Sequence, residues 1–176
     1  SKMIKAILEL SRIDNISHLQ KERIDLSELM KHFLEEQQAS CEEKDILLSS
    51  SIEENLTIEA NLLLFERVLD NLFSNALKFT KDKIDVIAVK TEEGISISIK
   101  DNGIGLTEQE SQQIFRRFYQ VESSRSKKQN PGVGLGLSLV DKILHLHGWK
   151  IDVKSHPGKC SSFTLLIPDK NINTEV

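Results

Sequence analysis

Residues 61–79, NLLLFERVLDNLFSNALKF, decide how the rest of the chain is read. Leu62, Phe65, Leu69, Leu72, Phe73 and Ala76 recur at steps of three and four, which predicts a long helix with one buried face. Arg67, Asn71, Asn75 and Lys78 form a second, polar stripe on the same helix. That stripe runs beside the apolar one rather than opposite it, so it falls at the edge of a core. An amide oxygen is a neutral hard ligand suited to Mg²⁺, and an ammonium is a point charge suited to a phosphate. A merely solvated helix face has the same pattern, so the stripe alone decides nothing.

Strand patterns surround this helix. Ile46–Ile52 and Leu56–Ile58 precede it, and Ile84–Thr91 and Ile95–Lys100 follow it across the turn Glu92-Glu93-Gly94. Ile95, Ile97 and Ile99 alternate with Ser96 and Ser98, which gives that strand one polar face. Asp25 followed by Glu28 predicts a capped helix start, carried by Leu26, Leu29, Met30, Phe33 and Leu34 to about Lys44. Thr107–Tyr119 looks helical at first and aromatic at its end, Leu135–His147 reads as a helix, and Lys150–Ser155 and Ser161–Ile167 read as strands paired across Pro157-Gly158. Residues 1 to about 20 read as a further helix, its stripe of Met3, Ala6, Ile7, Leu10 and Ile13 calling for a partner helix upstream or on another copy. The order of elements predicts an α/β sandwich of the α+β class, a mixed and largely antiparallel sheet with helices packed on one face.

Composition sets the limits. Of 176 residues, 39% are hydrophobic and 28% charged, the balance of a soluble globular chain. A net charge of −4 and 5% aromatic residues argue against a broad nucleic-acid surface or a stacking platform for single strands. No apolar run approaches the roughly 18 residues needed to span a bilayer. The chain opens at Ser1, already inside a helical pattern, so the expectation is a fragment. Cys41 and Cys160 lie in no metal-ligand spacing and read as reduced thiols of a cytosolic domain.

Two glycine-punctuated stretches carry further chemistry. Asp101-Asn102-Gly103-Ile104-Gly105 directly follows a strand, and its glycines would let backbone approach a planar ligand while the carboxylate accepts from an exocyclic amine. Gly132-Val133-Gly134-Leu135-Gly136-Leu137 opens a helix, where free backbone N–H groups make an anion site. It is not a dinucleotide fingerprint, because Leu137 stands at the third Gly, and no Gly-Lys-Ser/Thr follows as in a Walker loop. Residues 120–131, QVESSRSKKQNP, are polar with no apolar period and read as a mobile loop.

Taken in order, these segments resemble the catalytic, ATP-binding domain of sensor histidine kinases, within the wider family shared with gyrase, Hsp90 and MutL ATPases. Asn71–Thr80 looks like the N box, Asp101–Gly105 the G1 box, Ile114–Tyr119 the F box and Gly132–Leu137 the G2 box. Leu8–Asp14 is similar to the end of the family's dimerisation helix. The resemblance implies a Bergerat-type fold over 23–170, a dimerisation-helix remnant over 1–22 and a tail over 171–176. It also implies the cofactors ATP and Mg²⁺. Asn75 would hold Mg²⁺, Lys78 would approach the phosphates, and Asp101 would bond the adenine amino group. Gly103 and Gly105 would admit the base, while Gly132, Gly134 and Gly136 would hinge a lid (residues 120–131) and face the phosphates. Phe115 and Phe118 would anchor that lid, or serve as ordinary core aromatics. Asn71, Phe79, Leu135 and Leu137 complete the expected nucleotide contacts.

Position 71 bears on the reaction. Hydrolysing relatives carry a Glu there as general base for water, and Asn71 cannot take a proton at neutral pH. The resemblance therefore implies transfer of the γ-phosphate to a histidine, then to an aspartate of a response-regulator receiver domain. No histidine of this chain is followed by Glu or Asp, so the acceptor is expected upstream of Ser1. The implied partners are that regulator and the protein's own histidine-bearing dimerisation domain, as a homodimer, with no nucleic acid and no direct membrane contact by this segment. The implied location is cytoplasmic, with anchoring of the intact protein in the inner membrane left open. The alternatives are a hydrolytic ATPase of the same superfamily and a degenerate nucleotide-binding or docking module. For the latter the hints are Gln120, where an Arg is common, and Trp149, where relatives have the second Gly of an HGG triplet; Pro131, where many relatives have a Gly, is a further departure from the family pattern.

Overall fold

The structure, a computed structural model, describes residues 1–121 and 134–169. Most of the expected lid, with Gly132 and the tail 171–176, lies outside the described residues. The elements in order are α1 (Lys2–Asp14), β1 (Glu22–Asp25), α2 (Leu26–Glu43), β2 (Leu47–Ile52), β3 (Thr57–Ala60) and α3 (Leu62–Phe79). There follow β4 (Lys83–Lys90), β5 (Gly94–Asp101), α4 (Glu108–Gln113), α5 (Gly136–His147), β6 (Lys150–His156) and β7 (Cys160–Pro168).

Five strands form the main sheet in the order β2-β4-β5-β7-β6. Only the β2–β4 pair is parallel; the other three are antiparallel. The α/β sandwich expected from the sequence is the fold observed. Alternation sets the layers: Ile84, Val86 and Ala88 on β4, Ile95, Ile97 and Ile99 on β5, and Phe163, Leu165 and Ile167 on β7 are all buried. They share one core with Phe65, Val68, Leu69, Leu72, Phe73 and Ala76 of α3 and with Val140, Ile143 and Leu144 of α5. Each such side chain contributes about 1.5–3 kcal/mol on burial. Phe33 meets Phe73 edge-on at 5.6 Å, which ties α2 to α3.

Caps fix where the helices start. The Asp25 side chain accepts from the Glu28 N–H at 3.1 Å, and the Asn61 side chain accepts from the Leu64 N–H at 3.1 Å. His147 secures the second of these junctions. One ring nitrogen, Nε2, accepts from the Asn61 N–H at 3.1 Å, and Nδ1 lies 2.7 Å from the Ile143 carbonyl, so Nδ1 carries the proton.

Four sequence expectations change. Helix α1 stops at Asp14 rather than near residue 20, with Asn15 closing its last turn. Residues 22–25, unread as a strand, pair antiparallel with β3 in a separate two-stranded sheet. The helical first part of 107–119 is short, covering only Glu108–Gln113, and in the aromatic stretch Phe118 has φ of +64°, a left-handed conformation that cannot continue a helix. Finally, the apolar stripe of α1 finds part of its partner within this chain. Leu10 and Ile13 are buried where α1 meets α5, while Met3 and Ile7 remain exposed.

Candidate nucleotide site

One cavity of about 450 Å³ opens where the end of α3, the loop after β5 and the start of α5 converge. From α3 it is lined by Asn71, Ser74, Asn75, Lys78 and Phe79, so the polar stripe of that helix forms a wall of the cavity. Asp101 comes from the end of β5, and Ile104, Gly105 and Leu106 from the loop beyond it. Gly134, Gly136 and Leu137 line it where α5 starts. The expected residues Gly103, Leu135, Phe115 and Phe118 do not line the cavity. Gly103 and Leu135 are buried; Phe115 packs against the core, and Phe118 is 51% exposed, so it is no core aromatic.

The last residue of β5 and the two that follow it divide the work of building the site. Asp101 is 4% exposed, and its Oδ1 accepts from the Gly103 N–H at 2.9 Å. Burial pushes its carboxyl above the usual carboxylate range, and the Gly103 N–H partly opposes that rise. Its Oδ2 has no hydrogen bond among the described residues. Asn102 points elsewhere: its Oδ1 accepts from Thr80 Oγ1 and from the backbone N–H groups of Asp82 and Lys83, at 3.0–3.1 Å. That clamp holds the loop after α3 against the end of β5. Gly103 then lies on the last turn of α3 so closely that a Cβ there would stand 1.8 Å from the Phe79 carbonyl oxygen. The Asp-Asn-Gly order is therefore fixed by geometry as well as by any ligand.

The lining falls into two chemical sets. Asp101 with Ile104, Leu106, Ile114, Val121 and Phe163 suits a flat, mostly apolar ring that presents one amine. The amides of Asn71 and Asn75 and the ammonium of Lys78, whose Nζ lies 5.1 Å from the Phe79 ring centroid, form the polar set. An amide, a cation and the start of α5 suit an anion such as a polyphosphate. Among the described residues no cluster of three His, Cys, Asp or Glu side chains is placed to hold a metal. The donor set at Asn75 fits a cation that arrives with most of its oxygen ligands already supplied by phosphates and water, as Mg²⁺ does.

Sequence reasoning missed Ser161, Phe163 and Lys2 as lining residues. Ser161 is the register partner of Asp101 across β5 and β7, and inward alternation along β7 was the one signal for it. Trp149 lies elsewhere, edge-on to Phe65 at 5.7 Å within the core, so that departure from the family pattern leaves the cavity untouched.

Comparison with known proteins agrees with this geometry. A family model described as histidine kinase-, DNA gyrase B-, and HSP90-like ATPase matches residues 60–171. The chain is similar to the heme sensor protein HssS of Staphylococcus saprophyticus, 34% identical over 94% of this chain and 35% of that one. It is similar to the sensor histidine kinase WalK of Bacillus subtilis, 30% identical over 96% of this chain and 28% of that one. The chain thus spans about a third or less of the length of these relatives. Among solved structures, the nucleotide-free catalytic domain of the histidine kinase ThkA aligns with a TM-score of 0.73 and 25% identity, over 85% of this chain and 98% of that one. Full-length ShkA in complex with AMPPNP shares the fold, with a TM-score of 0.83 at 24% identity over 95% of this chain and 35% of that one.

Proposed function

This chain belongs to the family of histidine kinase-, DNA gyrase B- and HSP90-like ATPases, and within it we propose that it is the ATP-binding catalytic part of a two-component sensor histidine kinase. The observation that carries the reading is that one cavity brings together a buried carboxylate with apolar side chains and the amides and ammonium of α3. Adenine would sit against Asp101 and present its amino group to the carboxylate. The triphosphate would extend toward Asn71, Asn75 and Lys78, with Gly134, Gly136 and Leu137 across from it. Asn75 would complete the shell of a phosphate-bound Mg²⁺, which supplies charge neutralisation when present. Protein groups otherwise contribute position and fixed charge rather than a nucleophile.

Asn71 favours transfer over hydrolysis. Its Nδ2 donates to the Arg67 carbonyl at 2.7 Å, and an amide in this position has no basic site to take a proton from water. In the intact protein the γ-phosphate would pass to a histidine nitrogen on a dimerisation domain, then to an aspartate of a response-regulator receiver domain. On this reading residues 1–22 belong to that dimerisation domain, residues 23–170 to the catalytic domain, and the protein acts as a homodimer. A cytoplasmic location goes with it; among the described residues no helix is long and apolar enough to cross a membrane.

Calorimetric titration with ATP and GTP in the presence of Mg²⁺ tests the binding half of this proposal. Binding of ATP in clear preference to GTP is expected. Absence of adenine-nucleotide binding would leave a docking module as the better account.

A further inference from the structure

Lys2 is the one lining residue of the cavity that α1 contributes. We propose that Lys2 is a ligand for the terminal phosphate of bound ATP, so that seating of α1 and triphosphate binding favour one another. This rests on the nucleotide reading above.

The placement follows from how α1 lies on the domain. Glu9 Oε1 accepts from Arg67 Nε at 2.9 Å, and Ala6, Glu9 and Leu10 border a cleft with Arg67, Asn71 and Gly136. Helix α1 therefore runs antiparallel to the polar stripe of α3. Lys2 lies seven residues before Glu9, about 10 Å along the axis. Asn75 and Lys78 lie eight and eleven residues after Arg67, about 12 and 16 Å along theirs. Lys2 borders the same cavity as Asn75 and Lys78. Among the described residues neither Lys2 nor Lys78 has a carboxylate partner, which is equally true of exposed lysines such as Lys5; what sets these two apart is that they line the cavity. Two ammonium groups of the cavity lining thus keep their charge uncommitted.

The far end of α1 holds the helix in that position. Asp14 is held by Lys142 of α5 and by Arg117, whose Nη2 donates to it at 3.1 Å. Leu10 and Ile13 bury their side chains beside α5. The elements that seat α1, namely α3, α5 and the segment after α4, are the elements that build the cavity. A ligand that contacts Lys2 only when α1 is seated stabilises the seated state, and the coupling is reciprocal.

The test is calorimetric titration of the full chain with Mg-ATP and Mg-ADP, comparing wild type with Lys2→Ala, Lys2→Arg and Lys5→Ala. Lys5 is an exposed lysine of the same helix that does not line the cavity. Lys2 is exposed, so solvent screens its charge, and loss of its bond predicts about five- to tenfold weaker ATP binding for Lys2→Ala, a smaller effect on ADP, near-recovery with Lys2→Arg and no change with Lys5→Ala. A Leu10→Ser/Ile13→Ser double variant should reproduce the loss, and adding Lys2→Ala to it should change nothing further. Wild-type ATP affinity in Lys2→Ala, an equal loss in Lys5→Ala, or an equal effect on ATP and ADP would each overturn the proposal. A wild-type chain that binds no nucleotide would instead overturn the reading on which it rests.

Discussion

The side-chain oxygen of Asn71 stands 2.7 Å from where a Cβ on Gly136 would be. Helix α5 begins against α3 at two residues that both line the cavity, and the contact is between a backbone without a side chain and an amide. Substitution at Gly136 therefore acts on Asn71 first.

Gly136→Ala should cost little stability, because the obstacle is the end of a side chain that can turn away. The variant loses at most the Asn71-to-Arg67 hydrogen bond, about 1 kcal/mol. ATP affinity should nonetheless fall, since the displaced amide is a site residue. Gly103→Ala should behave in the opposite way: its new Cβ would meet the Phe79 carbonyl at 1.8 Å, and backbone must shift, at about 2–3 kcal/mol. Urea denaturation and calorimetry on both variants check the contrast. Equal loss of stability in the two would refute it.

Asp101→Asn should stabilise the nucleotide-free chain at pH 7 and weaken ATP binding. Burial raises the folded-state pKa of Asp101 above its unfolded value, so the ionised form disfavours the fold. That penalty is full above the folded pKa and fades as the pH falls through it toward the ordinary carboxylate value near 3.9. The stability gap between variant and wild type should accordingly narrow on acidification. Loss of a charge-assisted bond worth about 1.5–3 kcal/mol predicts roughly ten- to a hundredfold weaker ATP binding. Melting curves at several pH values and a titration at pH 7 read both effects.

His147 should make the fold acid-sensitive on the side away from the cavity. Burial lowers its pKa, the Ile143 carbonyl raises it in part, and Lys21 adds to the lowering. A depressed folded pKa means that its stability contribution is present above the unfolded value near 6.5 and is lost as the pH falls toward the folded one. Protonation at Nε2 would replace the acceptor of the Asn61 N–H with a second donor, at the point where α3 starts. Between pH 7 and pH 5 the wild type should lose more melting temperature than His147→Gln. Identical slopes would contradict the assignment.

Long, strongly patterned elements were legible in the sequence because burial enforces their period. Helix α3 and strand β5 show it: each apolar position of Leu69, Leu72, Phe73, Ile95, Ile97 and Ile99 is buried where its spacing placed it. Strand β1 was not legible, since four residues with only Ile24 buried carry no measurable period and the strand exists by pairing with β3. The exact end of α4 was not legible, because no stop signal separates it from the apolar and aromatic residues of 114–119 and nothing local announces the left-handed turn at Phe118. The α3 wall, Asp101 and the paired glycines of the cavity were readable as motifs with chemical meaning. Ser161 and Lys2 were not, because a strand register brings one into place and helix docking the other.

The central claim, phosphoryl transfer from bound ATP to a histidine outside this chain, has one direct measurement. The chain is incubated with γ-labelled ATP and Mg²⁺, alone and with a separately supplied dimerisation segment bearing a histidine. The account predicts no self-labelling and slow hydrolysis by the chain alone, then slow labelling of the added segment, because tethering and its effective concentration are lost. The label should be acid-labile, as phosphate on a histidine nitrogen is, and Asn75→Ala should abolish it while leaving the buried Leu69, Leu72 and Phe73 face intact. Rapid phosphate release by the chain alone, with no label on the added segment, would contradict the account and make the chain a hydrolytic ATPase.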